Sequence, residues 1–113
     1  MAYDDGTVAC TDDELVIRRY YFPRGTKRIP YHTIKQVRRV GLESIGGWRI
    51  RIWGSRDFVH WWNLDLHRSD HPIVFIIDIG GRMRPVITPQ DAARVTAELV
   101  THGVYLVPRL QSV

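Results

Sequence analysis

Cysteine is almost missing from this chain of 113 residues: Cys10 is the only one. That excludes an internal disulfide framework and any multi-cysteine zinc or iron–sulfur site. Long apolar runs are missing too. The longest, Ile73 to Ile77, is five residues, against the roughly 20 that a membrane-spanning helix needs. The opening Met1-Ala-Tyr-Asp-Asp-Gly6 carries neither the basic nor the apolar stretch of a secretory leader, so a cytoplasmic location is expected, with peripheral membrane attachment as the variant. No internal repeat and no Gly/Ser- or Pro-rich linker divides the chain. Lysine is scarce, with Lys27 and Lys35 standing beside fourteen arginines. Arginine suits planar phosphate or carboxylate recognition, although a GC-rich genome gives the same bias.

What is present points to one folded domain. Hydrophobic residues make up 44% and charged residues 25%, which is globular rather than disordered. The expectation is a single unit over 1–113, with a core at about 7–103 and a tail at 104–113. Net charge is +4 but unevenly spread. Residues 1–14 hold five acids and no base, whereas 15–56 hold eleven bases against Glu43 alone. A segment this basic creates a strong local field if its charges share a face.

Short β-type runs separated by turn residues dominate. Val8–Cys10, Leu15–Phe22, Lys27–Ile29 and Ile34–Val40 read as strands, with Pro23-Arg-Gly-Thr26 turning the chain and Pro30 ending a ladder for want of an N–H. Trp48-Arg-Ile-Arg-Ile-Trp53 alternates cleanly, with Arg49, Arg51 and Trp53 on one face. In Val59–Leu66, Trp62, Leu64 and Leu66 fall in step, leaving Trp61, Asn63 and Asp65 opposite. Pro72–Ile79 is apolar throughout, as in a strand covered on both faces. Gly80-Gly81 turns into Met83–Ile87. Thr88-Pro89-Gln90-Asp91 then predicts a capped helix start, Val95 and Leu99 recur at helical spacing, and Gly103 predicts the stop. The helix is expected over about 89–102.

Three stretches carry a family likeness. They are Leu15-Val-Ile-Arg18 with Pro23-Arg-Gly25, Ile29-Pro30-Tyr31 and Ile34-Lys-Gln-Val37; Trp48 through Gly54; and Ile87-Thr-Pro-Gln-Asp91 through Leu99. In this order and spacing the chain resembles the bacterial pleckstrin-homology-like (PH-like) domains across nearly all of 7–103. The resemblance implies a mainly β fold of about seven antiparallel strands in two orthogonal sheets, a barrel capped by the C-terminal helix. It also implies binding of lipids, peptides or proteins, or self-association, rather than catalysis. Fold alone is only an analogy for function. The segment Trp61-Trp62-Asn63-Leu64-Asp65 is no general feature of that family.

Two candidate sites follow. Arg18, Arg24, Lys27 and Arg28 flank the first hairpin and could converge on an anionic lipid headgroup or phosphate. Tyr20, Trp53 and Trp61 beside Arg49 and Arg51 form an aromatic–arginine surface suited to a protein partner or a second copy, with stacked nucleic-acid bases as the third reading. His60, His67 and His71 read as loop histidines because Pro72 interrupts their spacing, so no metal or cofactor is expected. No nucleophile, base and orienting group stand at motif spacing, so no enzyme is expected.

Overall fold

The computed structural model describes residues 3–21, 25–42, 60–63, 65, 68 and 71–108. The strand expected over 48–53 lies outside them, as do Arg24, Arg49, Arg51, Trp53 and His67. Among the described residues eight strands and one C-terminal α-helix follow in order: β1 (Tyr3–Asp4), β2 (Val8–Cys10), β3 (Glu14–Tyr21), β4 (Gly25–Pro30), β5 (Gln36–Gly41), β6 (His60–Trp62), β7 (Ile73–Asp78), β8 (Arg84–Ile87) and α1 (Ala92–Thr101). The fold is mainly β. Among the described residues two four-stranded sheets are formed, β1-β2-β3-β4 and β5-β7-β8-β6. No helix among the described residues is long and apolar enough to cross a membrane.

The first sheet is antiparallel throughout, but the second is not, since β6 runs parallel to β8 with Trp61 opposite Pro85. An all-antiparallel plan therefore fails at β6. The reason is topological: β7 lies between β6 and β8 in the chain and runs against both, so two reversals leave β6 and β8 pointing the same way. Nor does β6 continue through Asn63 as the alternation suggests, and residues 59, 64 and 66 of that expected strand lie outside the described residues. It ends at Trp62, and Asn63 and Asp65, expected to face outward, are both buried.

One core joins both sheets to the helix. Leu15, Ile17 and Ile29 from the first sheet meet Val37, Phe75, Ile77 and Ile87 from the second, with Val95 and Leu99 of α1 packed on them. Fully burying an aliphatic side chain contributes about 1.5–3 kcal/mol, so the apolar stripe of α1 is its principal anchor. A second cluster, including Val40, Trp62, Val74 and Val86, occupies the other face of the second sheet. This explains why the sequence at 73–77 is apolar without alternation.

The helix ends where Gly103 predicts. Gly103 has φ of +77°, its N–H donates to Val100 O, and that of Val104 donates to Leu99 O. This is a Schellman closure, with Val104 and Leu99 supplying its buried contact. The start differs from expectation. Asp91, not Thr88, is the N-cap, its carboxylate accepting the Arg94 N–H at 3.1 Å. Thr88 is buried and engaged elsewhere, and the Gln90 N–H donates to Asp5 Oδ2 at 2.8 Å. The Asp91 N–H donates to Tyr3 Oη at 2.9 Å. The N-terminal hairpin thus holds the two residues that lead into the helix from across the molecule. At the other end, the tail makes a parallel bridge through Leu106 to Val37, with the Val37 N–H donating to Tyr105 O and the Val107 N–H to Val37 O. The outer edge of β5 is covered by the chain itself.

Candidate functional site

The β3–β4 hairpin brings together most of the described candidates, in an arrangement the alternation of the sequence does not give. Leu15 and Ile17 face the core, so a regular strand would next turn residues 19 and 21 inward. Instead the pairing register shifts between Ile17 and Tyr21, and Arg19 takes φ of +57°. A bulge of this kind changes which side chains face the core. Tyr20 is consequently buried, and Tyr21 is 51% exposed.

The bulge also releases backbone acceptors. Trp61 Nε1 donates to Tyr20 O at 2.9 Å, and Asn63 Nδ2 donates to Arg18 O at 3.2 Å. Trp61 packs partly buried against the main core, its ring 5.9 Å from that of Tyr20. Tyr20 and Trp61, expected on an exposed interface, therefore join the two sheets, because the bulge points one inward and offers its carbonyl to the other. Burial pushes the Tyr20 phenol above its ordinary pKa.

The basic residues divide. Arg18 forms a two-point pair with Asp4 at 2.5 and 3.0 Å, and Arg28 donates to Glu14 Oε1 at 2.9 Å. Cross-strand pairing on one face brings these acids to them, so the described arginines do not converge on one anion-binding point. Exposed pairs of this type are worth about 0–1 kcal/mol, and the Arg28 side chain remains 62% exposed. Lys27 lies on the other face, its Nζ 5.3 Å from the Tyr20 ring centroid and 6.0 Å from that of Tyr21. No ion pair of Lys27 forms among the described residues.

The outer side of β4 is defined by its hydrogen-bond parity. The Arg18 N–H donates to Thr7 O and the Thr11 N–H to Glu14 O, so even-numbered β3 residues face β2. Odd-numbered ones then face β4, as the Tyr31 N–H donating to Asp13 O continues. In an antiparallel ladder the pairing groups alternate. Lys27 and Ile29 are thus turned to β3, and the backbone N–H and C=O groups of Thr26 and Arg28 point away from the sheet. Among the described residues no strand lies beyond β4. At its start Gly25 faces Tyr21 so closely that a Cβ there would lie 2.4 Å from Tyr21 Cβ and about 3 Å from its ring. Glycine is required, and the Tyr21 ring lies over the edge it leaves bare.

A second constellation was not legible as a site. Arg68, 2% exposed, donates to Thr88 Oγ1 at 2.9 Å, to Asn63 Oδ1 at 3.0 Å and to Asn63 O, and its guanidinium lies 4.8 Å from the Trp62 ring centroid. Thr88 Oγ1 donates to Asp65 Oδ2 at 3.3 Å, and His71 Nδ1 lies 3.6 Å from the same oxygen. Burial draws the Arg68 pKa down to about 10, opposed by the Asp65 charge, so the guanidinium is still charged at neutral pH. Arg68 Nε and His71 Nδ1 have no hydrogen-bond partner among the described residues. This cluster joins the connection after β6 to the β8–α1 junction, which gives the unassigned 61–65 segment a structural task. His71, expected in solvent, is drawn into it.

Chemistry elsewhere is restrained. Cys10 is fully buried and burial pushes its thiol up to about 11, the opposite of an activated nucleophile. Among the described residues no three His, Cys, Asp or Glu side chains gather into a metal-binding group. No family model, curated protein or solved structure matches this chain.

Proposed function

We propose that this chain is a non-enzymatic interaction module of PH-like plan, which takes up an extended segment of another protein chain along the outer edge of β4. Two sheets with a C-terminal helix packed by Val95 and Leu99 support that plan. The observation that carries the binding reading is the edge of β4, beyond which no strand lies among the described residues: Thr26 and Arg28 direct backbone donors and acceptors away from β3, and both residues are exposed. An added strand gains affinity from such main-chain groups, and side chains beside them set specificity. β5 offers no equivalent, since residues 105–107 already lie against it.

Selection of displayed random peptides on the folded protein, with counter-selection on Arg28→Pro, tests the reading. Proline removes an outward N–H while leaving the bonds of Lys27 and Ile29 to β3. Recovery of peptides that protect the Thr26 and Arg28 amides from exchange and are lost on Arg28→Pro is expected. Peptides held equally by both proteins, or none at all, would refute it.

A further inference from the structure

We infer that the partner of the β4 edge is an extended acidic segment rather than a second copy of this chain, an inference that rests on the strand-addition reading above. The edge carries Arg28 on one face and Lys27 on the other, with Arg19 exposed at the neighbouring bulge. An antiparallel copy centred on these outward groups sets Lys27 against Lys27 or Arg28 against Arg28, and like charges directly opposite destabilise a strand pair. Charged side chains and proline are also the devices that keep sheet edges from pairing with themselves, and here they are Lys27, Arg28 and Pro30.

The same charges favour a strand of opposite sign. The Glu14 carboxylate occupies one Nη of Arg28 and leaves the side chain largely in solvent, so a second carboxylate from a partner residue across the edge has a donor to meet. Three residues toward the turn, on the opposite face, Gly25 presents no side chain and the Tyr21 ring lies over it. A partner residue facing Gly25 therefore meets an aromatic surface. The recognition element is an extended segment with a carboxylate opposite Arg28 and an apolar residue three positions away, on the other face.

Three short capped peptides provide the probe, alternating Val with Glu, with Gln or with Lys. Each is titrated into the full chain while amide exchange is followed at Thr26 and Arg28, with Lys27 and Ile29 as internal controls. The Glu/Val peptide should protect the outward amides and bind about tenfold tighter than the Gln/Val peptide, with Lys/Val weakest and the preference weakening with salt. Arg28→Gln, which keeps the N–H and removes the charge, should abolish the Glu preference while retaining residual binding. Equal protection by all three peptides would leave the open edge standing and overturn the acidic partner. Protection of the same amides by dimerisation, read by sedimentation, would overturn it in favour of a second copy. Anionic vesicle binding with no peptide bound would overturn both the inference and the strand-addition reading, as would no binding to any probe.

Discussion

Replacing Asp5 with asparagine should be the most damaging single-atom exchange on the surface of the first sheet. The Asp5 carboxylate accepts from Thr7 N, Thr7 Oγ1 and Val8 N on Oδ1, at 2.8–2.9 Å, and from Tyr3 Oη and Gln90 N on Oδ2, at 2.5 and 2.8 Å. An amide has one acceptor oxygen. In either orientation the substituted side chain keeps one set and turns an NH2 donor toward the donors of the other. Hydrogen bonds to a charged group contribute about 1.5–3 kcal/mol each. Losing the two on Oδ2, at the low end because the site is half-open, costs about 3 kcal/mol, on the order of 10 °C in Tm for a domain of this size. Urea unfolding of Asp5→Asn against the parent measures it. The pH dependence supplies the sharper test. Burial raises the Asp5 pKa, but the bonds from Tyr3, Gln90, Val8 and Thr7 outweigh it and hold the group below its ordinary value. A carboxylate with a depressed folded pKa contributes stability above its unfolded pKa, and that contribution disappears as pH falls through the folded one. The gap between parent and variant should therefore be full at neutral pH and close in strong acid. A gap under about 0.5 kcal/mol at neutral pH, within the range of ordinary surface changes, or one that stays constant into acid, would refute the reasoning.

Three other outcomes are expected. Arg68→Ala removes a buried cation held by Thr88 and Asn63 and facing the Asp65 charge, and should cost about 3–5 kcal/mol in urea unfolding, whereas Arg68→Met with Asp65→Asn should recover part of that loss. Leu99→Ala, at a fully buried position of α1, should cost about 2–5 kcal/mol by the same measurement. Cys10 should resist a thiol reagent in the folded protein even at mildly alkaline pH, since it is buried and its pKa stands at about 11. Its modification should proceed no faster than opening of the fold, and rapid labelling of the native state would contradict the burial.

Much of the architecture was written in local pattern. The apolar run at 73–77, the glycine turn at Gly80 and the Val95/Leu99 stripe with Gly103 behind it each rest on a few neighbouring residues, and each is found where its pattern places it. What escaped was set by distant partners. Thr88 is a good cap by composition, but Arg68 holds its hydroxyl, so Asp91 takes that role. Asn63 and Asp65 look like the polar face of a strand until the Arg68 guanidinium supplies a buried counterpart. Tyr20 and Tyr21 are adjacent aromatics that no periodicity can sort, because the bulge at Arg19 exchanges inside for outside. That β4 ends its sheet among the described residues is likewise invisible in its own sequence, for being an edge is a property of which strand is next to it. The arginines were readable as charge, but their pairing with Asp4 and Glu14 depends on cross-strand register.

The clasp between the N-terminal hairpin and the start of α1 also orders events in time. Trp61 and Asn63 reach back 41 and 45 residues to the β3 bulge, whereas Asp5 and Tyr3 meet Gln90 and Asp91 across 85 and 88. Each doubling of a closed loop adds only about 0.6 kcal/mol of entropy cost, so the wide span is tolerable at equilibrium. Its effect is kinetic, since contacts of long sequence separation slow folding. During synthesis, Tyr3 and Asp5 emerge more than eighty residues before Gln90 and Asp91, so these two bonds form only after the intervening chain has been made.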